Sequence, residues 1–159
     1  MALPEHVAPD ELIESTWGNA VVDNLTRLTE ADADAAVTIP GNVDAGAAAL
    51  TDWLVVGIAV PAWATRARIV TTVAGLHQIG GAAGDVFEMQ TRLGVAGGRI
   101  AFHTPNAVGS RQTVAWNDAL AVSSTGALSI AVLARRVFGT GVLRVDVSSS
   151  CLFTVRFDW

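Results

Sequence analysis

Three histidines, His6, His77 and His103, are the only imidazoles in the chain, and they stand far apart. No HxxxH or CxxC occurs, so no zinc-type spacing is present. The single cysteine, Cys151, sits in the apolar register of an alternating stretch. It reads as a small buried hydrophobe with no evident base beside it. One cysteine also excludes an intrachain disulfide framework. The stretch AGLHQIGGAAGDVF is rich in glycine but lacks the Gly-Lys-Ser/Thr of a phosphate-binding loop, and it reads as a connection between strands. No Gly-x-Ser-x-Gly elbow and no paired carboxylates occur. The expectation is a protein that is not an enzyme and holds no cofactor and no metal.

Binding is the chemistry left. Trp53, Trp116 and Trp159 fall at apolar strand positions and read as core. Trp63, beside Pro61 in VPAWATRAR, is less constrained and is the tryptophan expected at the surface. With His77 and Arg111, in the stretches 77–85 and 104–112, it forms the candidate surface-binding set.

Half of the 159 residues are apolar, well above the composition of disordered chains. The length suits one compact domain with an appendage. No apolar run approaches the roughly 20 residues that span a bilayer. The N-terminus has neither the basic nor the apolar region of a signal peptide. Neither membrane insertion nor secretion by that route is expected. All ten basic residues are arginine.

Charge divides the chain. Residues 1–52 carry ten acidic residues against Arg27, a net −9; residues 53–159 carry nine arginines against five acids, a net +4. The basic residues are scattered along alternating strands, so nucleic-acid binding is not expected. The acidic part reads either as a solvated arm or as an arm that docks on a basic surface.

ESTWGNAVVDNLTRL, within that acidic part, has a helical period. Ile13, Trp17, Val21, Leu25 and Leu28 recur at spacings of three and four and form one stripe. Such a short helix is marginal alone in water, so its stripe needs cover. Residues 29–51 come next as an Ala/Asp-rich connection with a Pro40-Gly41 turn. The organisation predicted is an arm, helix and linker over 1–51 and a β domain over 52–159.

From residue 52 the period is two. Ala67, Ile69, Thr71 and Val73 share a face, as do Phe87, Met89, Thr91, Leu93 and Val95. Gly97-Gly98 turns into a strand with Ile100 and Phe102 on one face and His103 toward solvent. Val114–Trp116 and Leu120–Val122 read as two short strands. Alternation slips at Ala134-Arg135-Arg136, the mark of a bulge. The last strand sets Cys151, Phe153, Val155, Phe157 and Trp159 against Leu152, Thr154, Arg156 and Asp158. The fold class expected is mainly β: an antiparallel, jelly-roll-like sandwich of about eight strands, preceded by a short amphipathic helix.

Two stretches carry a resemblance. LIESTWGNAVVDNLTRL resembles the N-terminal segment of small structural proteins of tailed bacteriophages, with their Ser/Thr-x-Trp-Gly-Asn core. LSIAVLARRVFGTGVLRVDVSSSCLFTVRFD resembles the closing strands of β-sandwich modules in the same class, through Ala134-Arg135-Arg136, Gly139-Thr140-Gly141 and Leu143-Arg144-Val145-Asp146. The resemblance implies a virion protein, either a capsid decoration or fibre protein or a minor tail component. It implies attachment or oligomerisation through the N-terminal segment, most simply as a homotrimer, with other virion proteins as partners. The stripe Ile13, Trp17, Val21, Leu25 and Leu28 would then be the interface. The alternative is a carbohydrate-binding module for host-surface glycans.

Overall fold

The computed structural model describes residues 20–22, 25 and 31–159. Ten strands form two antiparallel sheets. They are β1 (Asp32–Val37), β2 (Val43–Ala45), β3 (Thr51–Val60), β4 (Arg66–Ile79), β5 (Val86–Leu93), β6 (Ala96–His103), β7 (Gln112–Ala121), β8 (Gly126–Phe138), β9 (Val142–Val145) and β10 (Ser150–Asp158).

Register shows how ten segments make eight strand lines. β10 pairs with β4 from Asp158↔Arg66 to Ser150↔Ala74, and β9 continues the same line from His77↔Arg144 to Ile79↔Val142. β1 and β2 lie end to end on the other side, against β10 and β9. β7 pairs with the same β4 residues as β10, and so occupies the opposite edge of β4. The first sheet therefore runs β1/β2, β10/β9, β4, β7, and the second runs β3, β8, β5, β6. Counted along the chain, lines one, eight, three and six form one layer, and lines two, seven, four and five the other. This is the jelly-roll arrangement of two interleaved Greek keys.

The core obeys the period of two. In β10, Cys151, Phe153, Val155 and Phe157 are buried while Leu152, Thr154 and Arg156 are exposed. Each such phenylalanine contributes roughly 1.5–3 kcal/mol by leaving water. Ala67, Ile69, Thr71 and Val73 of β4 and Phe87, Met89, Thr91 and Leu93 of β5 are buried as expected. A polar bridge crosses between the layers: Thr71 Oγ1 and Thr91 Oγ1 lie 2.7 Å apart, and Trp116 Nε1 donates to Thr91 Oγ1 at 2.8 Å. It satisfies three groups that would otherwise be costly to bury. The expected bulge near Arg136 is present, since Val86 pairs with Phe138 but Phe87 with Arg136, leaving Val137 extra on β8.

Several expectations are corrected. The connection drawn over 29–51 enters the sheets at residue 32, so the sandwich begins before residue 52. Alanines hid this strand: Ala35 pairs with Phe153, and small residues beside a buried ring leave no conspicuous apolar pattern. Val114–Trp116 and Leu120–Val122 are parts of the one continuous strand β7, which ends at Ala121. Val95 is exposed in the turn after β5. Ile100 and Phe102 point outward, with Phe102 67% exposed. Their parity is set by pairing: Ala101 lies opposite Met89 and His103 opposite Phe87, so these two turn inward. Burial accordingly pulls the His103 pKa below its ordinary value. Glu88, expected to be wet, is 6% exposed and ion-paired to Arg135. Trp159 is 69% exposed and not part of the core.

Of the expected helix, Ala20, Val21, Val22 and Leu25 are helical. Ile13, Trp17 and Leu28 lie outside the described residues. Among the described residues, no helix is long and apolar enough to cross a membrane.

Candidate functional site

The sandwich has two ends with different chemistry. At the near end, the chain enters through residue 31, β10 finishes at Asp158, and the connections β3–β4, β5–β6 and β7–β8 turn. At the far end lie the connections β2–β3, β4–β5, β6–β7 and β8–β9.

At the far end, β4 bulges at Gly75, where the pairing to β7 slips between Ala74 and Leu76. Gly75 has φ +75°, the left-handed region that a side chain disfavours, and Ser149 packs against its Cα side. The bulge turns the Gly75 carbonyl toward three groups. Arg111 Nη1 donates to it at 3.1 Å, Ser149 Oγ donates at 3.0 Å, and His77 Nδ1 stands 3.3 Å away. Arg111 also forks onto the Asp146 carboxylate, at 3.2 and 2.5 Å. Beside it Arg144, opposite His77 in the register, forks onto Asp44 at 2.6 and 2.7 Å.

These pairs set the local electrostatics. The Arg111 guanidinium, helped by the Ser148 amide, lowers the Asp146 pKa to about 2. Hydrogen bonding from Arg144 likewise holds Asp44 below its ordinary value. Asp146 therefore stays ionised where an unfolded aspartate, with a pKa of about 3.9, has begun to protonate. A carboxylate with a lowered folded pKa stabilises the fold above the unfolded value, and that contribution disappears as pH falls through the folded value. The stability difference between the wild-type chain and Arg111→Ala should thus be constant above about pH 4 and close between about pH 4 and 2. Urea unfolding at a series of pH values measures it; a gap that does not narrow at all as pH falls to about 2 would show that the pair is not its source, since the Arg111 bond to the Gly75 carbonyl does not titrate.

Behind this surface the two glycine-rich connections are clasped. Asp85 is 3% exposed, and its Oδ2 accepts from Gly141 N at 2.5 Å, Thr140 N at 3.1 Å and Gln78 Nε2 at 3.1 Å. Gln78 Nε2 also donates to the carbonyls of Gly80 and Ala82, at 2.9 and 3.0 Å. A Cβ at Gly139 would overlap the Asp85 carboxylate, and one at Gly141 would overlap the Gln78 amide. The glycines serve close approach of one loop to another, and the stretch read as a plain connection is a pinned platform.

At the near end, Trp63 and Trp159 meet edge to face, with centroids 5.6 Å apart. Thr65 N donates to Asp158 O, Val122 N donates to Thr65 O, and Phe157 N donates to Ala31 O, at 2.9, 2.9 and 2.6 Å. A hollow of about 680 Å3 opens beside these contacts on the outer face of β4 and β7, between Arg66, Arg68, Ala119, Ala121 and Trp159.

The structure thus brings His77 and Arg111 together on one carbonyl, although His77 lies on β4, not in a connection as expected, and Arg111 ends the β6–β7 connection. It leaves Trp63 at the opposite end, separated by most of a 14-residue strand, roughly 40 Å at about 3.3 Å per residue. Trp63 is half-buried, and its indole N–H is buried without a partner. Cys151 is buried as expected, which pushes its thiol pKa up to about 12 and leaves it unreactive. Among the described residues no group of three or more His, Cys, Asp or Glu could hold a metal ion. Sequence reading missed Asp85, Gln78 and the arginine-lined hollow. The pair of glycine-rich turns, GGAAGD and GTG, was the one signal for the clasp. Nothing local marks the hollow, because it depends on β4 pairing with β7.

No protein-family model matches the sequence, and no curated protein matches it significantly.

Proposed function

We propose that this chain is a virion structural protein of a tailed phage, a capsid decoration or fibre protein or a minor tail component. It attaches through its N-terminal segment and displays a β-sandwich, as a homotrimer, to the outside of the particle. The observation that carries this reading is the polarity of the sandwich. Residue 31 joins at the near end through the bond from Phe157 N to Ala31 O, so the acidic segment before it departs from that end. The pinned loops and the Gly75 cluster lie at the far end. One end is thereby available for anchoring and the other for presentation. The jelly-roll architecture, which also serves viral capsid and lectin domains, agrees with this at the level of fold analogy. So does the resemblance of residues 12–28 and 128–158 to phage structural proteins.

An image reconstruction of the intact particle tests the proposal. The expected result is density for the sandwich on the particle surface, near end inward, in groups of three. A particle that lacks the protein rejects the reading.

The meeting of His77 and Arg111 favours a second reading, recognition of host-surface glycans by the far end. Two forked ion pairs, a histidine and a backbone carbonyl offer donors and acceptors suited to sugar hydroxyls. Glycan binding that is lost in Arg111→Ala would support it.

A further inference from the structure

The glycine-rich connection between β4 and β5 gathers more acceptors than its side-chain donor can serve. Gln78 Nε2 stands 2.9 Å from the Gly80 carbonyl, 3.0 Å from the Ala82 carbonyl and 3.1 Å from Asp85 Oδ2. An amide nitrogen carries two hydrogens, so three acceptors exceed what it can satisfy. At the other corner of the same amide, Gln78 Oε1 is buried and meets no donor among the described residues. The whole side chain is closed off from solvent, and an acceptor shut away from both water and a donor is costly. One amide thus has a surplus of oxygens at its nitrogen and an orphan oxygen of its own. As hydrogen bonding alone, the arrangement is incomplete on both counts.

A cation completes it. Half a turn about the last torsion of Gln78 exchanges nitrogen and oxygen with no movement of the backbone. Gln78 Oε1 then joins the carbonyls of Gly80 and Ala82 and the Asp85 carboxylate, about 3 Å from each. Oxygens that share one Ca2+ at about 2.4 Å have that separation when they subtend roughly 80° at the metal. The donor set is all oxygen, three neutral carbonyls and one carboxylate, which suits calcium. Magnesium sheds its water reluctantly and favours carboxylates and phosphates over a cage of carbonyls. The set holds no sulfur or nitrogen for a transition metal. The loop also offers a way in: Gly80, Gly81, Ala82, Ala83 and Gly84 are exposed, with Gln78 and Asp85 buried behind them. A Cβ at Gly81 would overlap Asp85 Oδ2, so glycine lets the loop wrap closely around the carboxylate. The carbonyls of Thr140 and Gly141 are taken by Arg136 Nη1 and do not join the set.

We propose that the 80–85 connection and Gln78 form a calcium site, with the carbonyls of Gly80 and Ala82, the Asp85 carboxylate and the Gln78 amide oxygen as protein ligands. The single carboxylate and the nearby Arg136 guanidinium put its affinity in the weak class, a Kd of about 10−4–10−3 M. Side-chain spacing does not reveal such a site, because three of its four donors are amide carbonyls and two of those belong to the backbone. The site is independent of the proposed function; it fastens the far-end loops with an ion in addition to the Asp85 clasp.

Thermal unfolding of the full-length chain, first freed of metal with a chelator, tests this. Calcium chloride at about 10 mM should raise the midpoint by about 3–10 °C, as ligand at roughly 10–100 times Kd does for a chain of this size. Titration calorimetry should show a single site. Magnesium chloride at the same concentration should shift the midpoint less than about a third as far. Asp85→Asn keeps an acceptor but removes the ligand charge, and should abolish the response. Gln78→Glu is the sharper variant. Without metal it sets a carboxylate against three oxygens and should lower the midpoint. Calcium should then restore the midpoint to the wild-type value and bind at least tenfold tighter. A Gln78 that served only as a hydrogen-bond donor would give the same loss with no rescue, which overturns the inference. So does a wild-type midpoint that ignores calcium, a response that survives Asp85→Asn, or magnesium acting as well as calcium. Should Asp85→Asn not fold, Gln78→Glu decides alone. None of these readouts involves particles, so their failure leaves the proposed function standing.

Discussion

Asp85→Ala should be among the most damaging single substitutions in the sandwich, lowering stability by about 2–5 kcal/mol. The carboxylate accepts from two backbone amides at the β8–β9 turn, Thr140 N and Gly141 N, the second of them through a buried bond. A buried donor left without a partner costs about 1–3 kcal/mol. Gln78 loses less, because its amide keeps the carbonyls of Gly80 and Ala82. For a domain whose whole stability is about 5–15 kcal/mol, this loss is a large share. Asp85→Asn keeps an acceptor in the same place and should cost less than half as much. Gly139→Ala should be destabilising for two reasons: its φ is +91°, and Asp85 occupies the space of the added methyl. Urea unfolding measures all three. A loss below about 1 kcal/mol for Asp85→Ala would mean that water replaces the carboxylate and the loops are not pinned.

The second large effect separates folding from assembly. A chain lacking residues 1–30 should keep the sandwich, since β1 starts at Asp32 and the bond from Phe157 N to Ala31 O is retained. Its thermal midpoint should change by no more than a few degrees. Under the proposed function, incorporation into particles should fall to background when the truncated chain is the only copy supplied. Quantitative immunoblotting of purified particles reads this directly. Under the proposed function the contrast is large, because the segment would supply all of the anchoring. A truncated chain that enters particles at the wild-type level would overturn attachment through the N-terminus. A truncated chain that fails to fold would show that the segment belongs to the sandwich core.

The two effects lie at opposite ends of the molecule, and the sequence hinted at them unequally. Acidic residues before residue 31 and the stripe through Val21 and Leu25 distinguish that segment from the strands after it. His77 and Arg111 were selected because glycine-rich or polar connections surround them. Their meeting on the Gly75 carbonyl depends on a bulge, on the β9–β10 turn and on the pairing of β7 with β4. Trp63 stands out by its place beside Pro61 in VPAWATRAR and lies at the other end, because a connection's composition does not say to which end of a strand it belongs.

Class and much of the core were legible from the residues without any partner strand. A period of two through Cys151, Phe153, Val155 and Phe157 requires a strand with one dry face, whatever it pairs with. The same holds for Ala67 to Val73 and Phe87 to Leu93, and the slip near Arg136 announced a real bulge. Which strands are neighbours, and everything the neighbours build, emerged only in three dimensions. β1 became a strand because small alanines fit beside Phe153, not because its own pattern demanded it. The outward turn of Ile100 and Phe102 came from the pairing of Ala101 with Met89 and His103 with Phe87. Asp85 found its amide on Gly141 56 residues away, and Arg68 of β4 and Arg99 of β6 line one hollow from two sheets. The cause is the same each time: alternation is a property of one strand, whereas a clasp or a groove is made by pairing between distant strands, which no local pattern encodes.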